Sequence, residues 1–182
     1  MTEYISDQLL HTMHSFVYDL DVEICSNMIS DDNELILEDI SVGIKEDGRN
    51  LCQLEKYTTY TFHSHPLRSW SYPSFDDINK VSKNLNIKVS IVATFWGIWE
   101  ISKEIDDIKI NLNKEKINED ILWKLGGLTK TDDDERKETG IKSMVWSEKI
   151  HKVIDHYVRK LNKYLGPNIY VKFTPWKNVL KK

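Results

Sequence analysis

Residues 57–63, Tyr-Thr-Thr-Tyr-Thr-Phe-His, are β-branched or aromatic throughout and run directly into His63-Ser64-His65-Pro66. Such residues suit a pleated, half-buried strand, and Pro66 ends it by withholding a backbone donor. Residues 67–73 read as a loop. At Ser74-Phe75-Asp76-Asp77 the pattern changes to a helix start of the capping-box kind, with Ile78, Val81 and Leu85 as its buried stripe. This strand–loop–helix passage constrains the fold most, because it joins two periodicities across one short connection.

The flanking segments extend the pattern. An opening helix is expected over residues 3–18, where Ile5, Leu9, Leu10, Met13, Phe16 and Val17 recur near the helical period. A strand is expected over Leu20–Ile29, with Leu20, Val22 and Ile24 on one face and Asp21, Glu23 and Cys25 on the other. Turn signals at Ser30–Asn33 and Asp47-Gly48 bracket a second strand over Leu35–Ile44. Residues 87–101 read as two strands broken near Trp96-Gly97, and Ile108–Leu112 as a short further strand. The order of helix, strands, helix, strands predicts an α/β sandwich around one mixed sheet.

Beyond residue 112 the character shifts, dividing the chain into a core over 1–112 and a C-terminal extension over 113–182. The extension reads as a short helix over 117–125, a charged loop over 129–140, a long helix over about 143–165 stopped by Gly166-Pro167, and a short terminal strand over Ile169–Phe173. The long helix could cover a sheet edge or dock a protein partner.

Composition excludes some classes. With 40% apolar and 30% charged residues the chain is of ordinary globular type. A net charge of −4 offers no basic footprint for nucleic acid. No apolar run reaches the roughly 20 residues of a membrane span, and the N-terminus lacks a secretory pattern, so an intracellular setting, cytoplasmic or nuclear, is expected. Cys25 and Cys52, only two, are expected as free thiols.

The chemistry concentrates in His63, His65 and Asp77. Strand residues i and i+2 share a face, so both imidazoles point the same way. The loop is long enough to bring Asp77, in the first helical turn, back to meet them. Two imidazoles and a carboxylate supply three zinc ligands and leave a fourth position open, the arrangement of a catalytic site. A capping box alone explains Ser74-x-x-Asp77, but capping does not call for His-x-His-Pro upstream.

His63-x-His65-Pro66 followed by Pro73-Ser74-x-x-Asp77-Ile78 resembles the JAMM (MPN+) metalloprotease family, over about residues 1–112. The resemblance implies a single MPN/JAMM-like domain, a cytidine-deaminase-like mixed sheet flanked by helices. It implies Zn2+ held by His63, His65 and Asp77, Ser74 as a donor to the tetrahedral oxyanion, and an upstream glutamate as general acid/base. Glu23, in Val22-Glu23-Ile24-Cys25-Ser26, is similar to the family's Glu-x-Cys-Gly stretch; Glu38 is the alternative among Glu23, Glu34, Glu38, Glu46 and Glu55. Ser26 stands where the family usually has Gly. Eleven residues separate His65 from Asp77 where ten are commonest, which keeps Asp76 open as a ligand.

The activity so implied is zinc-dependent hydrolysis of peptide or isopeptide bonds. Deubiquitinase-like isopeptide cleavage, with ubiquitin or a ubiquitin-like modified protein as substrate, is the first expectation. A metal-free interaction module, or a prokaryote- or phage-type peptidase on another amide, is the alternative. His11 and His14 lack further ligands nearby and read as surface histidines; His151 and His156, five apart, point in different directions on their helix and read as structural. Trp96 and Trp99 read as sheet packing and Trp146 as helix core, whereas Trp70, between the ligands, could line a substrate groove or pack over the zinc.

Overall fold

A computed structural model describes residues 5–46, 49–52, 58–67, 69–104, 110–126 and 148–176. Helix α1 spans Asp7–Tyr18, capped by Ser6, whose side chain accepts from Leu9 N. Strands β1 (Ile24–Asp31), β2 (Glu34–Val42), β3 (Ile44–Glu46), β4 (Arg49–Leu51) and β5 (Tyr60–Ser64) follow. Helix α2 (Phe75–Lys83) then crosses to β6 (Val89–Thr94) and β7 (Gly97–Lys103). A helical run, α3, begins at Lys114–Ile117, winds as a π-helix over Asn118–Leu122 and continues to residue 126. Helix α4 (Glu148–Leu165) and strand β8 (Ile169–Pro175) complete the described chain.

Six strands form one mixed sheet in the order β2-β1-β5-β6-β7-β8, and β3 and β4 make a separate hairpin. Among the described strands only β5 and β6 pair in parallel, joined by α2. The two faces carry different cores. Leu9, Met13 and Val17 of α1 pack with Met28, Phe62 and Ile91 on one face. Ile78 and Val81 of α2 pack on the other with Trp99, Ile101, Ile121, Leu161 and Val171. The result is three α/β/α layers, as the mixed-sheet reading expected.

The second core runs through residues on both sides of position 112. Strand β8 extends the same sheet, and Ile154, Leu161 and Leu165 of α4 are buried within the chain's own core. Gly166, at φ +77, ends α4 in the left-handed conformation glycine adopts without cost. Among the described residues no helix is long and apolar enough to cross a membrane.

Several boundaries differ from expectation. The first strand starts at Ile24, so Leu20 and Val22 lie before it and are 38% and 40% exposed. Helix α2 ends at Lys83 with Asn84 in extended geometry, leaving Leu85 outside the helix and exposed rather than on its buried stripe. Residues 110–112, the described part of the strand expected at 108–112, are not in a strand. The charged loop over 129–140, and Val145 and Trp146, lie outside the described residues.

Candidate metal centre

Strand β5 positions both histidines. Its Phe62 points into the α1 core, so His63 faces α2, and His65 extends the ladder by donating its N–H to Ala93 O at 2.8 Å. The imidazole centroids are 5.1 Å apart. Asp77 arrives on the first turn of α2, where the capping box holds it. Asp77 N donates to Ser74 Oγ (3.1 Å), and Asp77 Oδ2 accepts from Ser74 N (2.7 Å) and from Ser74 Oγ (2.8 Å). The loop between the ligands is pinned from below by Trp99, whose Nε1–H donates to Ser71 O at 3.2 Å.

The carboxylate reaches both rings. Asp77 Oδ1 lies 3.2 Å from His63 Nε2, and Oδ2 lies 3.6 Å from His65 Nε2. One ligand atom from each residue falls within 4.8 Å of the others. Asp76, the alternative, is mostly exposed and pairs instead with Lys114 at 3.8 Å.

The donor chemistry fits a cation between these groups. His65 Nδ1 lies 2.8 Å from Trp70 O. A carbonyl can only accept, so Nδ1 carries the proton. Burial lowers the His65 pKa despite the Asp77 charge, which favours the neutral ring. Its Nε2 is then a bare lone pair facing a carboxylate oxygen at a distance too long for a hydrogen bond. The buried Nε2 of His63 also makes no hydrogen bond, although Asp77 lies close. Two ring nitrogens and a carboxylate that converge within 4.8 Å match the ligand set of an open zinc site. The backbone carbonyl on His65 Nδ1 is the outer-shell partner that sets a metal-binding tautomer.

The charges agree with the geometry. Burial pulls His63 down, but the Asp77 charge and contact, helped by Glu23, outweigh it and hold the ring above its ordinary pKa. Burial raises Asp77, but the two histidines and Ser74 overcome it and hold the carboxyl far below the usual range.

These groups line one cavity of about 620 Å³. Glu23 lines it as well, immediately before β1. Its carbonyl accepts from Gly43 N at 2.8 Å, fixing the backbone. The cavity thus brings together Glu23, His63, His65, Ser74 and Asp77. Glu38 sits in β2 opposite Asn27 and is not among the lining residues; Glu55 lies outside the described residues. His14 stacks on Tyr18 at 4.1 Å, and His151 pairs with Asp155 at 3.0 Å, both away from the cavity.

Three features of the cavity were not foreseen. Lys80, one turn after Asp77, lines it, and burial lowers its pKa against the raising effect of Asp77 and Glu23. Its position three residues after a ligand was the available signal. Lys114, Asn118, Leu122 and Trp123 of α3 form a further wall. The cysteines, expected free, form a disulfide. Cys25 is the cross-strand partner of His63, and Cys52 Sγ lies 3.2 Å from Glu23 Oε1. Pairing follows from proximity across 27 residues of sequence, which spacing alone does not reveal.

No protein-family model, curated protein or solved structure matches the chain.

Proposed function

We propose that the chain is a zinc-dependent hydrolase of peptide or isopeptide bonds, built on a JAMM/MPN-type domain. The observation that carries this reading is the convergence of His63, His65 and Asp77, with the buried Nε2 of His63 left without a hydrogen bond, in a cavity that also holds Glu23 and Ser74. Zinc held there would polarise the scissile carbonyl and make a water acidic enough to ionise near neutral pH.

The remaining work falls to the chain's own residues. Glu23 accepts the proton of the attacking water and returns it to the departing amine nitrogen, so one carboxylate serves as base and then as acid. Ser74 supplies a hydroxyl donor for the carbonyl oxygen as it gains charge. Its Oγ–H now goes to Asp77, so this role requires an exchange of partner. The Trp70 carbonyl keeps His65 in the tautomer that presents Nε2. A ubiquitin-like protein joined through an isopeptide bond is the substrate class that the motif suggests.

Glu23→Gln tests this assignment. The amide preserves size but cannot take a proton at neutral pH. Zinc content should stay at one per chain, while cleavage of ubiquitin chains or small amide substrates falls by about 10²–10⁴-fold. Undiminished turnover by the variant would remove Glu23 from the mechanism.

A further inference from the structure

Five tryptophans lie among the described residues, and they divide sharply. Trp96, Trp99 and Trp176 are 5%, 1% and 6% exposed, whereas Trp70 and Trp123 are 55% and 62% exposed. Both exposed indoles line the cavity of the metal centre. An indole is among the largest apolar groups a chain can bury. Leaving two of them in water at one cavity is the signature of a binding surface rather than of packing.

Neither ring is carried by a part of the chain that could turn away freely. The Trp70 backbone is bound to a metal-ligand residue, because its carbonyl accepts from His65 Nδ1. Its ring stacks nearly parallel on buried Tyr72, with centroids 5.6 Å apart and planes 10° apart. Tyr72 in turn packs closely against α3 at Gly126, where a Cβ would lie 2.6 Å from Tyr72 Oη. Trp123 comes from that same helical run, next to buried Leu122. The two rings thus form a pre-set apolar lining attached to both sides of the Tyr72–Gly126 contact.

The cavity, at about 620 Å³, is of the size that takes a drug-sized ligand, well beyond one amide group and a water. Its charged lining is mixed, with Lys80 and Lys114 set against Glu23, Asp76 and Asp77, so it presents no field of one sign. Its two exposed indoles are the largest apolar faces it offers a substrate. We propose that Trp70 and Trp123 form a subsite for an apolar side chain, best an aromatic one, of a peptide substrate whose neighbouring amide lies at the metal centre. This rests on the zinc hydrolase reading and adds the side-chain preference that the metal ligands do not specify. Offset or edge-on contact with an indole favours an aromatic guest beyond its buried area.

The test uses hydroxamates, which chelate zinc through two oxygens and carry a chosen side chain beside it. N-acetylphenylalanine, N-acetylglycine and N-acetylaspartate hydroxamates are titrated calorimetrically into the zinc-loaded full chain, with zinc content measured in parallel. The phenylalanine compound should bind about tenfold or more tighter than the other two. Trp70→Ala and Trp123→Ala should each bring that ratio to within about twofold of one at unchanged zinc content, and Trp70→Phe should restore part of it. Equal binding of the three compounds by the zinc-loaded wild type overturns the subsite and leaves the metal centre standing, as does a ratio that survives both alanine variants. Failure of the wild type to hold zinc overturns the hydrolase reading itself, and this inference with it.

Discussion

Replacing Asp77 with asparagine separates the metal role of this residue from its role in starting α2. The amide oxygen can take the place of Oδ2, accepting from Ser74 N and Ser74 Oγ, now at 2.7 and 2.8 Å, so the helix start survives. What disappears is the negative charge and the carboxylate oxygen that faces His63 at 3.2 Å. Structural zinc sites with four protein ligands bind with roughly 10–16 kcal/mol. One ligand's share is about 2.5–4 kcal/mol, or about 10²–10³-fold in Kd. Competition of metal-free protein against a chromophoric zinc chelator measures the change, with circular dichroism confirming the fold. Asp76→Asn is the matched control; its carboxylate is mostly exposed and paired with Lys114, so its zinc affinity should stay within about threefold of wild type. An Asp77→Asn protein that is folded and binds zinc within about threefold of wild type would refute the assignment of Asp77 as a ligand.

Zinc affinity should also depend on pH with a defined slope. Binding must displace the proton from His63, which is held above its ordinary pKa, whereas His65 lies below its ordinary value and Asp77 far below. Below pH 6.5 the Kd should therefore rise by up to about tenfold per pH unit, with one proton released; a release of two by calorimetry in several buffers would contradict this balance. Gly97→Ala should be costly, because the new Cβ would sit 2.7 Å from Pro175 Cα and force β7 and β8 apart. A loss of more than about 2 kcal/mol, roughly 4–8 °C in Tm, is expected by thermal melting, and an unchanged Tm would argue against this β7–β8 register. The Cys25–Cys52 disulfide closes a separation of 27 residues. A dithiol reductant should lower stability in urea unfolding by about 3.5 kcal/mol, and identical midpoints with and without it would show that the bond does not stabilise the fold.

How much of this was legible in the chain follows from the range over which each signal acts. The His63-x-His65 pair and the Ser74–Asp77 cap are set by strand and helix geometry within a few residues, so their positions emerge from local spacing. The parallel crossover from β5 through α2 to β6 brings these two local features to one end of the sheet. The wall from α3 was not legible. Its residues reach the cavity through packing of Ile117, Ile121, Leu122 and Leu125 into the core beneath α2, and apolar periodicity does not name its partner. Trp123 could have been singled out only as an apolar residue off that buried stripe. Leu20 and Val22 mimicked strand alternation, but the turn between α1 and β1 takes them up first, and the strand begins where Ile24 N donates to Ser64 Oγ. The disulfide depends on a contact between β1 and the end of the β3–β4 hairpin, which no local pattern encodes.

Two clusters of metal-ligating residue types lie among the described residues, His63-His65-Asp77 and Glu23-Cys25-Cys52, and the sulfurs of the second are tied up in the disulfide. Zinc-edge X-ray absorption on the purified, unreduced protein distinguishes them directly. The account predicts one zinc per chain with only nitrogen and oxygen neighbours at about 2.0–2.2 Å and the scattering pattern of two imidazoles. Sulfur neighbours at about 2.3 Å, or zinc that persists in His63→Ala and His65→Ala proteins, would contradict it.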